Sequence, residues 1–267
     1  DLKQAKRLAL ALLKSGSNGL VVSGTTGESP TLSKEEKLRL FAAVKSAVGN
    51  QEAVVAGTGS YSTRESIELT REAEKVGVDA ILLVVPYYNK PTQEGLFQHF
   101  KAIAESTRLP CILYNVPSRT VTSLSVETVI RLSQVDNIVG IKEASGNLEQ
   151  IARIIQGAGK DFLVWSGNDA DTLPILALGG WGVISVTSHL VGNQIREMME
   201  KFLSAKTAEA AEIHRKLLPL INALFIVSNP IPVKYALNYI GFPVGKPRLP
   251  LTELDEKSKA MIEATLR

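Results

Sequence analysis

One lysine, Lys142, stands at the end of a short apolar run, residues 138–142 (IVGIK). If this run is a β-strand, Gly140 and Lys142 point to one face and Val139 and Ile141 to the other, because side chains alternate along a strand. With the apolar pair against the helices, Lys142 lies inside the fold above a glycine that leaves room. Burial without a matched carboxylate disfavours the charged ammonium, and the neutral amine is the nucleophile of Schiff-base chemistry. The alternative is a lysine that reaches solvent from the strand end.

Polar side chains follow the ends of other apolar runs as well. Residues 24–29 (GTTGES) offer backbone N–H groups and the hydroxyls of Thr25 and Thr26, which suit a carboxylate or a phosphate; an ordinary glycine-rich turn is the alternative. Tyr114 ends another run, where its phenol either relays a proton or anchors the rim of the fold. Arg119 follows on the next loop, as a bidentate ligand for a carboxylate or as a solvated charge.

Two adjacent tyrosines, Tyr87 and Tyr88, follow a further apolar run. Large exposed aromatic side chains on a loop indicate a subunit contact or a wall of the site. At most one of the two rings can face the interior of the fold.

The residue types that usually bind metals give no site. The histidines are His99, His189 and His214, and their spacing matches no metal-ligand pattern, so we predict packing or surface roles for them and no catalytic metal. Cys111 lies inside an apolar run, which predicts an inert thiol in the core.

The elements that must position these residues are repeated strand and helix units. Seven apolar runs are too short for helices, and their nearly continuous apolarity is typical of strands buried on both faces. They are residues 19–23, 53–56, 80–85, 111–114, 138–142, 162–166 and 182–186. Amphipathic segments separate them, and one of these begins with a capping box from Ser33 to Glu36. Such repeats form an open doubly wound sheet or a closed barrel, and in a barrel the active site lies at the carboxyl ends of the strands.

The organisation of the chain favours the barrel. The first predicted helix covers residues 2–14, as though a strand preceded it, and an eighth strand upstream of Asp1 would complete a (β/α)₈ barrel. We therefore predict a catalytic barrel over residues 1–204. Prolines separate three further helical segments, which predicts a C-terminal helical domain over residues 205–267 and no second catalytic domain.

Composition excludes several classes of protein. The 267 residues carry a net charge of only +3 without a basic run, so we expect no nucleic-acid partner. No apolar stretch approaches the length of a membrane helix. A single cysteine excludes an internal disulfide and fits a reducing compartment, so we expect a soluble, cytoplasmic α/β protein.

The motifs taken together resemble the dihydrodipicolinate synthase family, within the N-acetylneuraminate lyase superfamily of pyruvate-dependent class I aldolases. The resemblance rests on GTTGES at 24–29, PYYNKP at 86–91, YNVPSRT at 114–120 and GIKEASG at 140–146, and it extends to SGNDA at 166–170 and NPIPVK at 229–234. It implies a (β/α)₈ barrel with a C-terminal helical domain, no cofactor, and a cytoplasmic homotetramer built as a dimer of dimers.

The resemblance also implies an activity in the diaminopimelate route to lysine. Lys142 would form a Schiff base with pyruvate, and the derived enamine would attack L-aspartate 4-semialdehyde. By the same resemblance, Tyr114, Thr25 and Tyr88 would relay protons, and Tyr88 would come from the neighbouring subunit. Thr25 and Thr26 would bind the pyruvate carboxylate, and the backbone of Ile184 would complete the pyruvate pocket. Arg119 would bind the carboxylate of the semialdehyde.

Two alternatives remain open from the sequence. A sister aldolase, such as N-acetylneuraminate lyase or a keto-deoxy sugar acid aldolase, would keep the lysine and the tyrosine but cleave a sugar acid, and Arg119 in its Ser-Arg-Thr context favours the synthase. A non-catalytic keto-acid-binding protein would not need Lys142 and Tyr114 together.

The resemblance finally predicts insensitivity to lysine as an inhibitor. Glu65 and Tyr87 match the family's lysine cleft, but Tyr61 stands at its asparagine position and Lys34 and Lys37 at its imidazole positions. Two ammonium groups would repel a cationic ligand.

Overall fold

A computed structural model describes residues 1–266 of the chain. The chain forms two compact units, one of residues 1–52 together with the chain from Ser185 onward, and the other of Ala53–Ile184. The predicted domain boundary between residues 204 and 205 stays a prediction.

The sheet contains seven strands that follow one another in chain order. They are β1 (Gly19–Val22), β2 (Ala53–Gly57), β3 (Ala80–Val84), β4 (Cys111–Asn115), β5 (Ile138–Glu143), β6 (Leu163–Ser166) and β7 (Gly182–Val183). Each pairing from β2 to β7 is parallel. All seven predicted strands are present, although β7 ends three residues earlier than predicted. The α/β fold of the barrel type is confirmed.

Twelve α-helices are described, most of them between or after the strands. They are α1 (Leu2–Lys14), α2 (Lys34–Val48), α3 (Thr63–Val76), α4 (Gln93–Ala104), α5 (Pro117–Thr120), α6 (Val126–Leu132), α7 (Leu148–Gly157), α8 (Thr172–Ala177), α9 (Ser188–Leu203), α10 (Thr207–Ala223), α11 (Ile231–Tyr239) and α12 (Glu256–Leu266). The α5 helix was not predicted, because four residues that begin with proline carry no helical periodicity. Helix α9 begins five residues before its predicted start, with a kink at Val191.

Local sequence signals explain where several helices begin and end. Ser33 and Glu36 form the predicted capping box of α2, each side chain accepting a hydrogen bond from the other residue's backbone N–H. Gly77 ends α3 with φ of 86°, a left-handed conformation that glycine adopts without steric cost.

Each unit has its own apolar core. In the unit of residues 53–184, every residue of β4 is buried, as expected for a strand of a parallel sheet covered on both faces. In the other unit, the last three helices share one buried cluster that includes Leu224, Ala236 and Ile262. The predicted C-terminal helices are therefore present and packed.

The cysteine and one histidine confirm their predicted packing roles. Cys111 is buried, and burial raises the pKa of its thiol to about 12, which leaves it unreactive at neutral pH. His99 on α4 is also buried, and its Nδ1 lies 2.9 Å from the Thr63 hydroxyl at the start of α3. No helix within residues 1–266 combines the length and the apolarity that crossing a membrane requires.

We predict that His99 makes the stability of the fold fall as the pH is lowered. Burial lowers its pKa from 6.5 to about 4, and within residues 1–266 its Nε2 has no hydrogen-bond partner. Between these two values the unfolded chain binds a proton that the folded chain does not, so the free energy of unfolding decreases as the pH falls. The loss due to His99 should be about 2 kcal/mol between about pH 7 and about pH 5.

Urea unfolding of the wild type and of His99→Asn, followed by circular dichroism at both pH values, checks this. Asparagine keeps a polar atom near Thr63 but does not titrate, so the variant should lose this part of the pH dependence. His214→Asn, on α10, controls for the loss of a histidine. An equal pH dependence in wild type and His99→Asn would contradict the prediction.

Candidate active site

Lys142 and Tyr114 meet across two neighbouring strands near their carboxyl ends. The parallel register of β4 and β5 pairs Tyr114 with Lys142. Both residues are buried: Tyr114 has 6% of its surface exposed and Lys142 has 9%. The Lys142 Nζ lies 4.4 Å from the centre of the Tyr114 ring, within the range of a cation–π contact. The alternative of a lysine that reaches solvent is therefore wrong, because Lys142 packs against a ring inside the fold.

Gly140 supports this strand in a different way from the one predicted. A Cβ atom at this position would lie 2.2 Å from the Leu163 carbonyl oxygen and 2.7 Å from the Trp165 ring. The space beside the glycine is thus filled by β6 and its tryptophan. Glycine is required because β5 and β6 approach each other closely, two residues before Lys142.

Asn115 and Glu143 form a second cross-strand pair, one residue after the first. Both are fully buried, and the register of β4 and β5 places them opposite each other. The Asn115 Nδ2 donates hydrogen bonds to both carboxylate oxygens of Glu143, at 3.1 Å each. The backbone N–H of Ser145 donates a further bond of 2.8 Å to Glu143 Oε1. Burial raises the pKa of Glu143, while these hydrogen bonds act to lower it.

Neither Asn115 nor Glu143 was assigned a role from the sequence. Strand alternation places each of the two residues on the face opposite Tyr114 and Lys142, but their pairing depends on the register of β4 and β5.

Arg119 lies on α5, immediately after β4. The helix begins with Pro117, the position at which proline is best tolerated, and ends at Val121 in the left-handed conformation with φ of 61°. Thr120 is buried, and its hydroxyl donates to the Val116 carbonyl. The Arg119 side chain is exposed. A short helix with one buried anchor thus presents the guanidinium beyond the end of β4.

The two adjacent tyrosines have different surroundings. Tyr87 is half-buried and packs edge-on against Tyr61, with ring centres 5.3 Å apart, and burial raises the pKa of its phenol. Tyr88 has 91% of its surface exposed and a backbone φ of 76°. A left-handed tyrosine is strained, and such strain is concentrated at functional sites.

Ile184 follows β7 in the unit of residues 53–184. Its backbone N–H donates to the Ser166 carbonyl at 2.9 Å, which extends the hydrogen bonding between β6 and β7 beyond the end of the strand. The backbone predicted to complete a pocket is therefore held at the carboxyl end of the sheet.

Thr25 and Thr26 belong to the other unit, in the turn after β1. Both are half-buried, and the Thr25 carbonyl accepts a hydrogen bond from the Glu28 N–H at 3.0 Å. The Thr26 hydroxyl accepts a bond of 3.0 Å from Asn229 Nδ2. The Lys234 ammonium donates to the Glu28 carboxylate at 2.6 Å, and both side chains are mostly buried. Asn229 and Lys234 were not assigned roles from the sequence, although both lie in the motif NPIPVK.

The arrangement can support amine and proton chemistry. Lys142 and Tyr114 are in contact, Arg119 follows the same strand as Tyr114, and Tyr88 and Ile184 follow other strands of the same unit. Within residues 1–266, no group of three or more His, Cys, Asp and Glu side chains is placed to hold a metal ion.

Comparison with known proteins gives the relatives of this chain. The sequence model of the Dihydrodipicolinate synthetase family matches residues 1–267. A 4-hydroxy-tetrahydrodipicolinate synthase of Dehalococcoides mccartyi strain CBDB1 is 68% identical over 267 residues, which is 100% of this chain and 90% of that protein.

Solved structures agree with the sequence match. The dihydrodipicolinate synthase structure from Bacillus anthracis has a TM-score of 0.98 at 47% identity, covering 100% of this chain and 91% of that one. A structure of dihydrodipicolinate synthase (DHDPS) from Cyanidioschyzon merolae, with lysine bound, has a TM-score of 0.98 at 48% identity, and it covers 100% of this chain and 91% of that one. The chain belongs to the dihydrodipicolinate synthetase family.

Proposed function

We propose that this chain condenses pyruvate with L-aspartate 4-semialdehyde to give 4-hydroxy-tetrahydrodipicolinate, with Lys142 as the residue that forms the Schiff base. The observation that carries the proposal is the buried contact between the Lys142 amine and the Tyr114 ring at the carboxyl end of the sheet. The 68% identity to a 4-hydroxy-tetrahydrodipicolinate synthase over the whole chain supports the same activity.

The first half of the reaction uses the lysine as a nucleophile. The Lys142 amine attacks the ketone carbon of pyruvate, and loss of water gives an imine. Removal of a proton from the methyl group of pyruvate converts the imine into an enamine. Tyr114, whose ring contacts the amine, carries the phenol hydroxyl that we assign to proton transfer in these steps.

The second half joins the two substrates. The enamine carbon attacks the aldehyde of L-aspartate 4-semialdehyde and forms the new carbon–carbon bond. The amino group of the semialdehyde then attacks the imine carbon, which closes the ring and releases Lys142 as a free amine. One water leaves for each product formed, so the reaction needs no oxidant, reductant or cofactor.

We assign substrate-binding roles to four further residues. Thr25 and Thr26 bind the pyruvate carboxylate, and Thr25 also takes part in the proton relay. The bond from Asn229 to the Thr26 hydroxyl supports this assignment, because it fixes the orientation of that side chain. The backbone of Ile184 completes the pyruvate pocket, and Arg119 binds the carboxylate of the semialdehyde.

We further propose a cytoplasmic homotetramer, built as a dimer of dimers, in which Tyr88 acts in the site of the neighbouring subunit. A strained tyrosine with almost its entire surface exposed supports this role, because an isolated subunit gains nothing from it.

Insensitivity to lysine stays a prediction. Tyr61 is half-exposed, its ring packs against Tyr87, and its carbonyl accepts a bond of 3.0 Å from Asn89 Nδ2. This fixed aromatic side chain occupies volume at the position where lysine-binding relatives are expected to carry an asparagine.

We predict that sodium borohydride in the presence of pyruvate attaches a reduced three-carbon adduct to Lys142 and to no other lysine. Peptide mass mapping of the treated protein locates the adduct. Lys142→Arg keeps the charge but removes the attacking amine, so turnover in a coupled assay should fall by roughly 10³-fold or more. Lys101→Arg, a surface substitution on α4, is the matched control. An adduct on a different lysine would show that the assignment is wrong.

We predict that Arg119→Ala raises KM for the semialdehyde and leaves imine formation with pyruvate intact. Loss of a charge-assisted bidentate contact should weaken semialdehyde binding by roughly ten- to a hundred-fold. Steady-state kinetics with varied semialdehyde, run beside borohydride trapping, measure both effects. Arg153→Ala, which removes a surface arginine from α7, should change neither. Equal loss of trapping and of semialdehyde binding would mean that Arg119 has a structural role.

We predict that Tyr88 and Lys142 complement each other between subunits. Mixing inactive Lys142→Arg with inactive Tyr88→Phe should restore up to about a quarter of wild-type activity, because half of the randomly formed dimers are hybrids with one intact site. Mixing Tyr239→Phe, an exposed tyrosine on α11, with Lys142→Arg gives the control for dilution by an inactive subunit. Failure to recover activity when native mass spectrometry shows hybrid dimers would contradict a shared site.

A further inference from the structure

We propose that Asn115 and Glu143 are a positioning pair that holds Tyr114 against Lys142 and thereby sets the rate of imine formation. Neither residue touches the reacting atoms in this assignment; they act through the strands that carry the two site residues. The inference rests on the proposed function, because it concerns the same lysine.

The register of the two strands couples the pairs directly. Tyr114 is opposite Lys142, and the next residues along, Asn115 and Glu143, are opposite each other. Since successive side chains point to opposite faces, the first pair meets on one face and the second pair on the other. A slip of one residue between β4 and β5 would break both contacts at once.

The hydrogen bonds of the second pair resist such a slip. Asn115 donates to both oxygens of Glu143, and Ser145 donates its backbone N–H to Oε1. On its other side, Asn115 Oδ1 accepts the backbone N–H of Leu124 at 3.1 Å. One asparagine therefore connects β4, β5 and the segment that follows α5.

Loss of either side chain of the pair would also cost free energy of folding, because the other side chain would stay buried without its hydrogen-bond partner. Both side chains are fully buried, and the Glu143 carboxylate accepts hydrogen bonds from the neutral N–H groups of Asn115 and Ser145. A buried carboxylate loses its solvation and needs each of these donors. A fold that needed only stability could fill this space with apolar side chains, whereas a buried polar pair with this hydrogen-bond pattern also favours one register over the others.

A swap of the two side-chain chemistries tests the proposal. Glu143→Gln alone places an N–H of the new amide opposite an N–H of Asn115 or of Ser145, so that two donors face each other without an acceptor. Asn115→Asp alone sets two buried carboxylates against each other. The double variant restores a hydrogen bond between the two side chains: the new aspartate accepts from the Leu124 N–H and from the amide of the new glutamine, whose oxygen still accepts from the Ser145 N–H.

The rate of imine formation on Lys142 tests whether the pair has this positioning role. Each variant is mixed with pyruvate, quenched with borohydride at timed intervals and analysed for the adduct on Lys142, at a temperature where circular dichroism shows it folded. Each single variant should form the imine roughly ten- to a hundred-fold more slowly, since small displacements of reacting groups have effects of this size. The double variant should return to within about threefold of wild type. In steady-state assays the single variants should lose kcat more than they change KM for the semialdehyde.

Asn137→Asp is the matched control at the opposite end of β5. Asn137 Nδ2 donates to the carbonyls of Ala104, Thr107 and Leu109, at 2.9, 3.1 and 3.1 Å. This variant should lower the melting temperature but leave imine formation by the folded protein unchanged. If Asn115→Asp does not fold, the uncharged Glu143→Gln still gives the single-variant rate.

Two results would overturn the proposal. Folded single variants that form the imine at the wild-type rate would show that the pair contributes stability alone. A folded double variant as slow as the single variants would show that the bond between the two side chains is not what matters. Absence of an adduct in the wild type would instead refute the proposed function, so the two failures are distinguishable.

Discussion

The contact between the Lys142 amine and the Tyr114 ring is the interaction around which the site is built. A lysine buried on an apolar strand loses its hydration, so the chain must supply other interactions in place of water. The ring supplies one such interaction at 4.4 Å, and the parallel register of β4 and β5 brings the two residues opposite each other. On the far side of the same strands, Asn115 and Glu143 hold that register with hydrogen bonds, and Gly140 lets β6 approach closely enough to complete the sheet.

Backbone strain in the two units is concentrated in the loops that follow the strands. Residues other than glycine with left-handed φ include Ser23 and Glu28 after β1, Tyr88 after β3 and Val121 after β4. These conformations cost free energy, and they persist where the surrounding structure over-determines them. Glu28 is held by Lys234 and by the Arg248 N–H, so the C-terminal segment of the chain fixes the turn that carries Thr25 and Thr26.

Much of the fold and part of the site could be predicted from the sequence. Short apolar runs identified all seven strands, and alternation along the fifth placed Lys142 inside, because both signals are local. The pairing of Asn115 with Glu143 and of Asn229 with Thr26 could not be predicted in the same way, because each depends on register or on residues far apart in the chain. The space beside Gly140 was misjudged for the same reason, since the atoms that fill it belong to another strand.

A crystal structure of the protein soaked with pyruvate would show directly whether Lys142 forms the Schiff base. We expect continuous electron density from the Lys142 Nζ to the ketone carbon of pyruvate, with the Tyr114 ring beside the new bond and the Asn115–Glu143 pair intact. Pyruvate bound without a bond to Lys142, or joined to a different lysine, would contradict it.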